Sequence, residues 1–175
     1  MTRYWFDTEF IEDGRTIDLI SIGIVAEDGR EFYAECREAK LHRADDWVKQ
    51  NVITHLVHAG HGEHVSSDDF PSCPLMYRRT IADAIVRFCD PATYGKPEIW
   101  AYYADYDWVA LCQLFGRMID LPRGWPMYCR DIKQWADMLG NPKLPEQGQG
   151  EHHALADARW NRLAWEFLRD VEAAS

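Results

Sequence analysis

The sequence lacks a long hydrophobic run. None of its 175 residues belongs to a stretch near the roughly 20 consecutive apolar residues that a membrane-spanning helix requires. The amino-terminal segment MTRYWFDTEF carries two acidic residues and no extended apolar core, which does not fit a secretory signal. We therefore expect neither a membrane protein nor a secreted one.

Paired cysteines are also missing. The five cysteines are an odd number, and no two of them are separated by only two residues. The sequence therefore predicts neither a disulfide framework nor a zinc ribbon. A reducing cytoplasm is the simplest location for such a chain.

Basic residues are scarce. The chain has 19 lysines and arginines against 29 acidic residues, and the net charge of −10 argues against a general nucleic-acid-binding surface. A nuclease remains compatible with this charge, because carboxylates that hold metal ions concentrate acid where phosphate binds. At about 100–200 residues per domain, the length predicts one domain over residues 1–175.

The first part of the sequence predicts three antiparallel strands. Aromatic and β-branched residues favour a strand over Tyr4–Ile11, and the apolar run Ile17–Ala26 is typical of a strand buried on both faces. The turn signal Asp28-Gly29 then leads into a returning strand over Glu31–Glu35.

The remainder predicts helices around one further strand. Apolar residues recur at helical spacing in five segments, which are Trp47–Val57, Ile81–Phe88, Trp108–Phe115, Ile132–Leu139 and Trp160–Val171. Glu98–Tyr103 predicts a strand, and His58–Pro74 is rich in loop-forming residues. This order predicts an α/β protein with a mixed sheet, antiparallel in its first three strands and flanked by helices.

Two carboxylates stand close together on the first predicted strand. Asp7 and Glu9 are two residues apart, so their side chains leave the same face. Beside Trp5 and Phe6, such a pair is costly unless a cation neutralises it. The alternative is a strand end whose acids face water. Oxygen ligands without cysteine favour Mg²⁺ or Mn²⁺ over zinc.

Two more acids and a histidine follow. Asp107 begins a helix at the carboxyl end of a strand, where α/β proteins bind ligands, although helix capping is a common alternative. His152 and Asp157 would lie about 140° apart on a continuous helix. The glycines before them predict a helix start near His153 or Ala154, which leaves His152 on a loop that can turn towards Asp157. A histidine beside metal-bound acids suits a general base, whereas the alternative is an exposed histidine pair before an ordinary helix.

These segments carry a resemblance. Asp7-Thr8-Glu9, YYADYDWVAL around Asp107, and HHALADA from His152 resemble the three motifs of the DEDDh family of 3′-to-5′ exonucleases. That family has the ribonuclease H-like fold and includes ribonuclease T and oligoribonuclease. Because the motifs occur in order from residue 7 to residue 158, the resemblance covers nearly the whole chain.

The resemblance implies a two-metal mechanism. Asp7, Glu9, Asp107 and Asp157 would hold two Mg²⁺ or Mn²⁺ ions around the last phosphodiester, and His152 would act as the general base. The product would be a nucleoside 5′-monophosphate. Members of this size are often homodimers, which we also expect here.

Three further positions bear on the resemblance. The resemblance implies that Phe10 stacks on the terminal base, although a core position is equally compatible. Many members have asparagine where this chain has Tyr103, so a substrate contact there would differ. The related DEDDy branch has tyrosine at the position of His153, but the four residues between histidine and the last aspartate favour His152 as the base.

Other polar residues have competing interpretations. His55, His58, His61 and His64 recur at every third residue and suggest either a zinc site or a solvated loop. A neighbouring arginine pair, Arg78 and Arg79, suggests either a phosphate contact or a solvated surface pair.

The sequence therefore predicts a metal-dependent 3′-to-5′ exoribonuclease acting on single-stranded RNA 3′ ends, similar to bacterial members of the family, including a poly(A)-preferring one. The alternatives are the same reaction on single-stranded DNA and a catalytically silent nucleic-acid-binding domain. The second is disfavoured because all four acids and the base are present. No residue in the sequence identifies a contact to the 2′-hydroxyl that separates RNA from DNA.

Overall fold

The computed structural model describes residues 1–57, 75–148 and 150–174. Its centre is a sheet of six strands in the order β4-β3-β2-β1-β5-β6. The strands are β1 (Thr2–Glu12), β2 (Ile17–Ala26), β3 (Glu31–Cys36), β4 (Leu75–Met76), β5 (Pro97–Ala101) and β6 (Arg130–Asp131). The helices are α1 (Asp46–Asn51), α2 (Arg78–Phe88), α3 (Pro91–Tyr94), α4 (Asp105–Gln113), α5 (Ile132–Met138) and α6 (Ala154–Ala173).

The sheet is mixed, as the sequence predicts. β1, β2 and β3 pair antiparallel, whereas β5 pairs parallel with β1, β6 parallel with β5, and β4 parallel with β3. The predicted α/β class, with three antiparallel strands first and helices around the sheet, is confirmed. The arrangement is consistent with a ribonuclease H-like fold.

Alternation along β1 sends its side chains into two different layers. Tyr4 and Phe6 are buried in the core that includes Ile85 of α2 and Leu111 of α4. Trp5 points the other way, into the cluster under α5 and α6, and its ring lies 5.4 Å from that of Trp165. Since Asp7 and Glu9 follow Trp5 at steps of two, β1 directs them towards the α6 side of the sheet.

Two predicted elements are shorter than expected. The strand predicted over Glu98–Tyr103 ends at Ala101, because Tyr103 has a left-handed backbone with φ of 54° that cannot continue a strand. The helix predicted over Trp47–Val57 becomes α1 and a separate 3₁₀ turn over Ile53–His55. The β-branched run from residue 52 to residue 54 disfavours a continuous helix there.

Two short strands close the edges of the sheet. β4 and β6 have two residues each, too few for an alternating pattern to appear in the sequence. β6 continues directly into α5, where the Asp131 carboxylate accepts the backbone N–H of Gln134 and caps the helix. Within the described ranges, no helix combines the length and apolar character needed to cross a membrane.

Candidate active site

The start of α6 sits directly on β2, next to Asp7. Gly23 of β2 pairs with Asp7, and a β-carbon at Gly23 would lie 2.4 Å from the backbone of Ala154 and Leu155. Only glycine therefore permits this contact, which lays the first turn of the helix against the sheet. The contact brings Asp157 over the acids of β1.

A second contact fixes α6 one turn further along. Asn161 is buried, and its side-chain amide donates a 2.9 Å hydrogen bond to the carbonyl oxygen of Phe6. Asn161 follows Asp157 by four residues, so both side chains leave the same face of the helix. The helix is thus attached to β1 immediately beside Asp7.

Asp107 reaches the site from α4. Its Oδ1 accepts two hydrogen bonds from Thr8, at 2.8 Å from the backbone N–H and at 2.6 Å from the hydroxyl. Because Thr8 stands between Asp7 and Glu9 in the sequence, these bonds tie the first turn of α4 to the strand that carries the other acids. The Asp107 side chain is only 7% exposed.

The loop before α6 completes the arrangement. The backbone N–H of His152 donates to Oδ2 of Asp157 at 3.0 Å, and the Gln147 side chain donates to Oδ1 of the same carboxylate. His152 has a left-handed backbone with φ of 66°, so the chain turns sharply just before the helix. The sequence-based prediction of a helix start near His153 or Ala154, with His152 outside the helix, is confirmed.

We refer to Asp7, Glu9, Asp107 and Asp157 as the acid cluster. Burial, followed by the negative charge of Asp107, raises the pKa of Asp7 well above its ordinary value. Burial and the nearby Asp157 raise the pKa of Glu9 to about 8. In the protein alone, the cluster therefore resists full ionisation near neutral pH.

The two remaining acids show the same tendency less strongly. Burial raises the pKa of Asp107 to about 6, although the hydrogen bonds from Thr8 oppose the rise. Burial also raises the pKa of Asp157 to about 6, against the opposing backbone N–H of His152. Three buried carboxyl groups and the half-buried Asp7, which repel one another, form a donor set suited to a hard divalent cation.

Geometry also favours a cation. Glu9, His152 and Asp157 each offer one potential ligand atom, and these atoms lie within 4.8 Å of one another. Among the residues described, no other group of three or more histidine, cysteine or acidic side chains comes together in this way. The residues present thus fit a metal site.

The two adjacent histidines occupy different environments. His152 lines a cavity of about 240 Å³ together with Asp7 and Asp157, and its ring makes a T-shaped contact with Trp47, with ring centroids 4.9 Å apart. His153 instead stacks on Tyr33, with ring centroids 4.5 Å apart, and is not among the residues that line this cavity.

Phe10 follows Glu9 on β1 and lines a second cavity. A bulge in the pairing of β1 with β2 falls between Glu9 and Phe10, and the half-buried Phe10 ring stacks on Tyr106 at 5.9 Å. Phe10 and Trp47 both line a cavity of about 300 Å³ that reaches Glu9. Phe10 therefore borders open space beside the acids.

Tyr103 lies on the surface near the site. It is 62% exposed, and its ring makes a T-shaped contact with Tyr102, with ring centroids 4.7 Å apart. Tyr102 lines the cavity that contains His152, whereas Tyr103 does not. The role of Tyr103 in substrate binding stays a prediction.

The remaining predicted residues lie elsewhere. Arg78 pairs with Asp18 and its backbone N–H donates to Glu38 at 2.7 Å, so its charge is already engaged, while Arg79 is exposed. His55 lies in the 3₁₀ turn after α1, and His58, His61 and His64 fall outside the described residues, where a histidine site stays untested.

Sequence reasoning missed several residues that shape the site. They are Thr8, Gly23, Trp47, Gln147 and Asn161. An isolated glycine inside an apolar strand is a recognisable signal of close backbone approach, and Asn161 is spaced one helical turn from Asp157. Gln147 and Trp47 carry no such signal, because only the tertiary fold brings them to the site.

Comparison with known proteins identifies the family. A family model described as the 3′-5′ exoribonuclease Rv2179c-like domain matches residues 2–169. The chain is 40% identical over 159 residues to two proteins of Mycobacterium tuberculosis, 3′-5′ exoribonuclease MT2234.1 of strain CDC 1551 / Oshkosh and 3′-5′ exoribonuclease Rv2179c of strain ATCC 25618 / H37Rv. Each alignment covers 90% of this chain and 87% of the relative. The chain therefore belongs to the Rv2179c-like 3′-5′ exoribonuclease domain family.

Proposed function

We propose that this protein is a metal-dependent 3′-to-5′ exoribonuclease of the DEDDh type, built as a single exonuclease domain. It would act on single-stranded RNA 3′ ends and release nucleoside 5′-monophosphates. The observation that supports this most strongly is the convergence of four acids from β1, α4 and α6 beside His152, in a chain of an exoribonuclease family.

The acid cluster is the proposed holder of two divalent ions, Mg²⁺ or Mn²⁺. Carboxylate oxygens are the ligands that these ions prefer, and the raised pKa values of Asp7 and Glu9 reflect burial and mutual repulsion that a cation would relieve. When bound, such ions lower the pKa of an attacking water and stabilise the charge on a leaving oxygen.

His152 is the proposed general base. It lines the same cavity as Asp7 and Asp157, and it lies on a loop rather than inside α6. An imidazole near the acids can accept a proton from the attacking water at neutral pH. The T-shaped contact with Trp47 restricts rotation of the His152 ring.

His153 is the alternative base that a DEDDy-type enzyme would suggest at this position. Its ring is stacked on Tyr33 and lies outside the lining of the cavity. This difference between two neighbouring histidines supports the DEDDh assignment, in which His152 is the general base.

The cavity beside Glu9 is the proposed site for the terminal base. Phe10 and Trp47 give it aromatic walls, and Val48 and Val52 add apolar surface. Stacking on aromatic side chains contributes roughly 1–3 kcal/mol per base and requires unpaired bases. A single-stranded 3′ end therefore suits this cavity better than a duplex end.

We further propose that the enzyme is a cytoplasmic homodimer. Light scattering tests the assembly, since a dimer would have about twice the 20.4 kDa of one chain. A mass equal to one chain would remove the homodimer from this proposal without affecting the reaction.

A degradation time course tests the activity. Single-stranded RNA labelled at its 5′ end and DNA of the same sequence are incubated with Mn²⁺, with Mg²⁺, and with a chelator. We expect a ladder that shortens from the 3′ end on RNA, stops with the chelator and resumes when metal is restored. Equal degradation of DNA would broaden the substrate, and no cleavage of either strand would indicate a silent binding domain.

A further inference from the structure

One row of directly paired residues crosses the three antiparallel strands beneath the start of α6. Asp7 of β1 pairs with Gly23 of β2, and Gly23 pairs in turn with Tyr33 of β3. Residues paired directly across strands project from the same face of the sheet. The backbone of α6 at Ala154 therefore rests on Gly23 with Asp7 on one side and Tyr33 on the other.

Tyr33 holds the residue that begins this helix. The His153 ring lies on the Tyr33 ring, with centroids 4.5 Å apart and planes inclined by 21°. His153 occupies the N-cap position of α6, yet its side chain makes no capping hydrogen bond. The His153 side chain contributes to the fold here through this stack.

The Tyr33 side chain is held by a hydrogen bond to Glu35. Its hydroxyl donates a 3.0 Å hydrogen bond to Oε1 of Glu35, a side chain with no exposed surface. The same oxygen accepts the backbone N–H of Val57 at 2.5 Å. The Glu35 carboxylate therefore links the Tyr33 hydroxyl to the segment that follows α1.

The residue next to His153 needs such support. His152 has a φ of 66°, a left-handed conformation that costs free energy for any residue other than glycine. Its backbone N–H must also stay directed at Oδ2 of Asp157, at 3.0 Å. If the peptide between His152 and His153 rotated, the imidazole of His152 would leave the cavity that contains the acids.

We propose that His153 is a positioning residue, whose stack on Tyr33 holds His152 at the acid cluster. The stack on one side of Gly23 thus determines the placement of the general base on the other. This inference rests on the proposed function, because it takes His152 to be the general base. It assigns the two histidines of one motif separate tasks, chemistry to His152 and orientation to His153.

Substitution of His153 tests the proposal through kcat and KM on 5′-labelled RNA. His153→Ala should lower kcat roughly 10- to 100-fold, the scale of a misplaced catalytic group, and leave KM within about two-fold. His153→Phe keeps a stacking ring without an acid–base group, and should recover most of the lost kcat. If His153→Phe is as inactive as His153→Ala, the stack is not what matters and the proposal fails.

A double variant separates positioning from general loss of structure. In a His152→Ala background, adding His153→Ala should cost little further activity, since the group that His153 positions is already gone. Losses that multiply would show that His153 acts independently of His152 and would overturn the proposal. Thermal unfolding shows whether His153→Ala still folds. If it does not, Tyr33→Leu removes the same stack from the other ring and should lower kcat equally. An unchanged kcat in Tyr33→Leu would contradict the proposal.

The His152 and His153 variants also separate the positioning role of His153 from the proposed role of His152 as general base. If His152→Ala keeps full activity, the assignment of the general base fails, and with it the reason for positioning. If His152→Ala is inactive while His153→Ala is fully active, only the positioning role is lost.

Discussion

Glu98 and the acid cluster differ in whether the chain itself balances their negative charge. Glu98 of β5 has its own cations: Arg3 lies 3.3 Å and Arg130 3.6 Å from its oxygens, and the Trp100 indole donates to it at 2.8 Å. The acid cluster has none, since no ion pair within the described ranges involves any of its four members.

This difference separates a carboxylate that supports the fold from carboxylates with a proposed role in metal binding. A carboxylate that supports the fold is surrounded by arginine and hydrogen-bond donors, so its charge is balanced within the chain. The acid cluster has no arginine or lysine ion-pair partner among the described residues, and its unbalanced charge carries a stability cost that the divalent ions proposed above would relieve. Divalent cations fit this proposal because carboxylate oxygens are the ligands that Mg²⁺ and Mn²⁺ prefer, and the chain belongs to an exoribonuclease family.

Replacing Asp7 of the acid cluster and, in a separate variant, Glu98 is the strongest test of this comparison. Asp7→Asn should abolish exoribonuclease activity, because it removes a charged metal ligand, and should leave the metal-free fold at least as stable, because it removes repulsion. Glu98→Gln serves as the matched control and should leave activity unchanged. Substantial activity in Asp7→Asn, measured on 5′-labelled RNA, would contradict the role of the acid cluster.

Removal of the general base should have the next largest effect. His152→Ala should lower kcat roughly 10²- to 10⁴-fold, the usual contribution of general acid–base catalysis. Because the acid cluster is intact, the variant should still be stabilised by Mn²⁺ in thermal unfolding. A variant that loses both activity and this stabilisation would show that His152 contributes mainly to metal binding.

The stability of the metal-free protein should depend on pH in a characteristic direction. The folded-state pKa of Glu9 is raised to about 8 from 4.5, so the folded protein binds more protons than the unfolded chain between these values. Stability is then greatest below about pH 4.5 for this group and is lost as the pH rises through 8. Denaturant unfolding from pH 5 to 8, with Glu9→Gln as control, measures this slope, and a slope identical in both proteins would contradict it.

The smallest expected effect is on stability when Glu98, whose charge is balanced by two arginines, is replaced. Glu98→Gln should lower the free energy of unfolding by about 1 kcal/mol or less, because its partners are partly exposed and screened by solvent. Chemical denaturation measures this change. A large loss of activity in this variant would remove the distinction between the two groups.

Much of the site could be predicted from the sequence because its signals are local. Asp7 and Glu9 share a face through the period of two in a strand, and the glycines before His152 mark where α6 begins. The strand predicted from the apolar run Ile17–Ala26 has the same bounds as β2. These features depend on neighbouring residues alone.

The rest depends on contacts between distant segments. The two hydrogen bonds from Thr8 to Asp107 join residues 99 positions apart, and no local pattern predicts them. The same holds for the stack of His153 on Tyr33, which exists because Gly23 lets α6 approach the sheet. β4 has only two residues and forms by pairing with the end of β3.

Metal binding in the absence of RNA tests the central claim most directly. Thermal unfolding of the wild-type protein and of Asp7→Asn is followed as Mn²⁺ is added to chelator-treated samples. A ligand present at 100 times its dissociation constant stabilises the folded state by about 2.7 kcal/mol, which shifts the midpoint measurably. We predict a rise in the wild-type midpoint that Asp7→Asn lacks. A wild-type midpoint that does not move with Mn²⁺, or moves equally in the variant, would contradict the account.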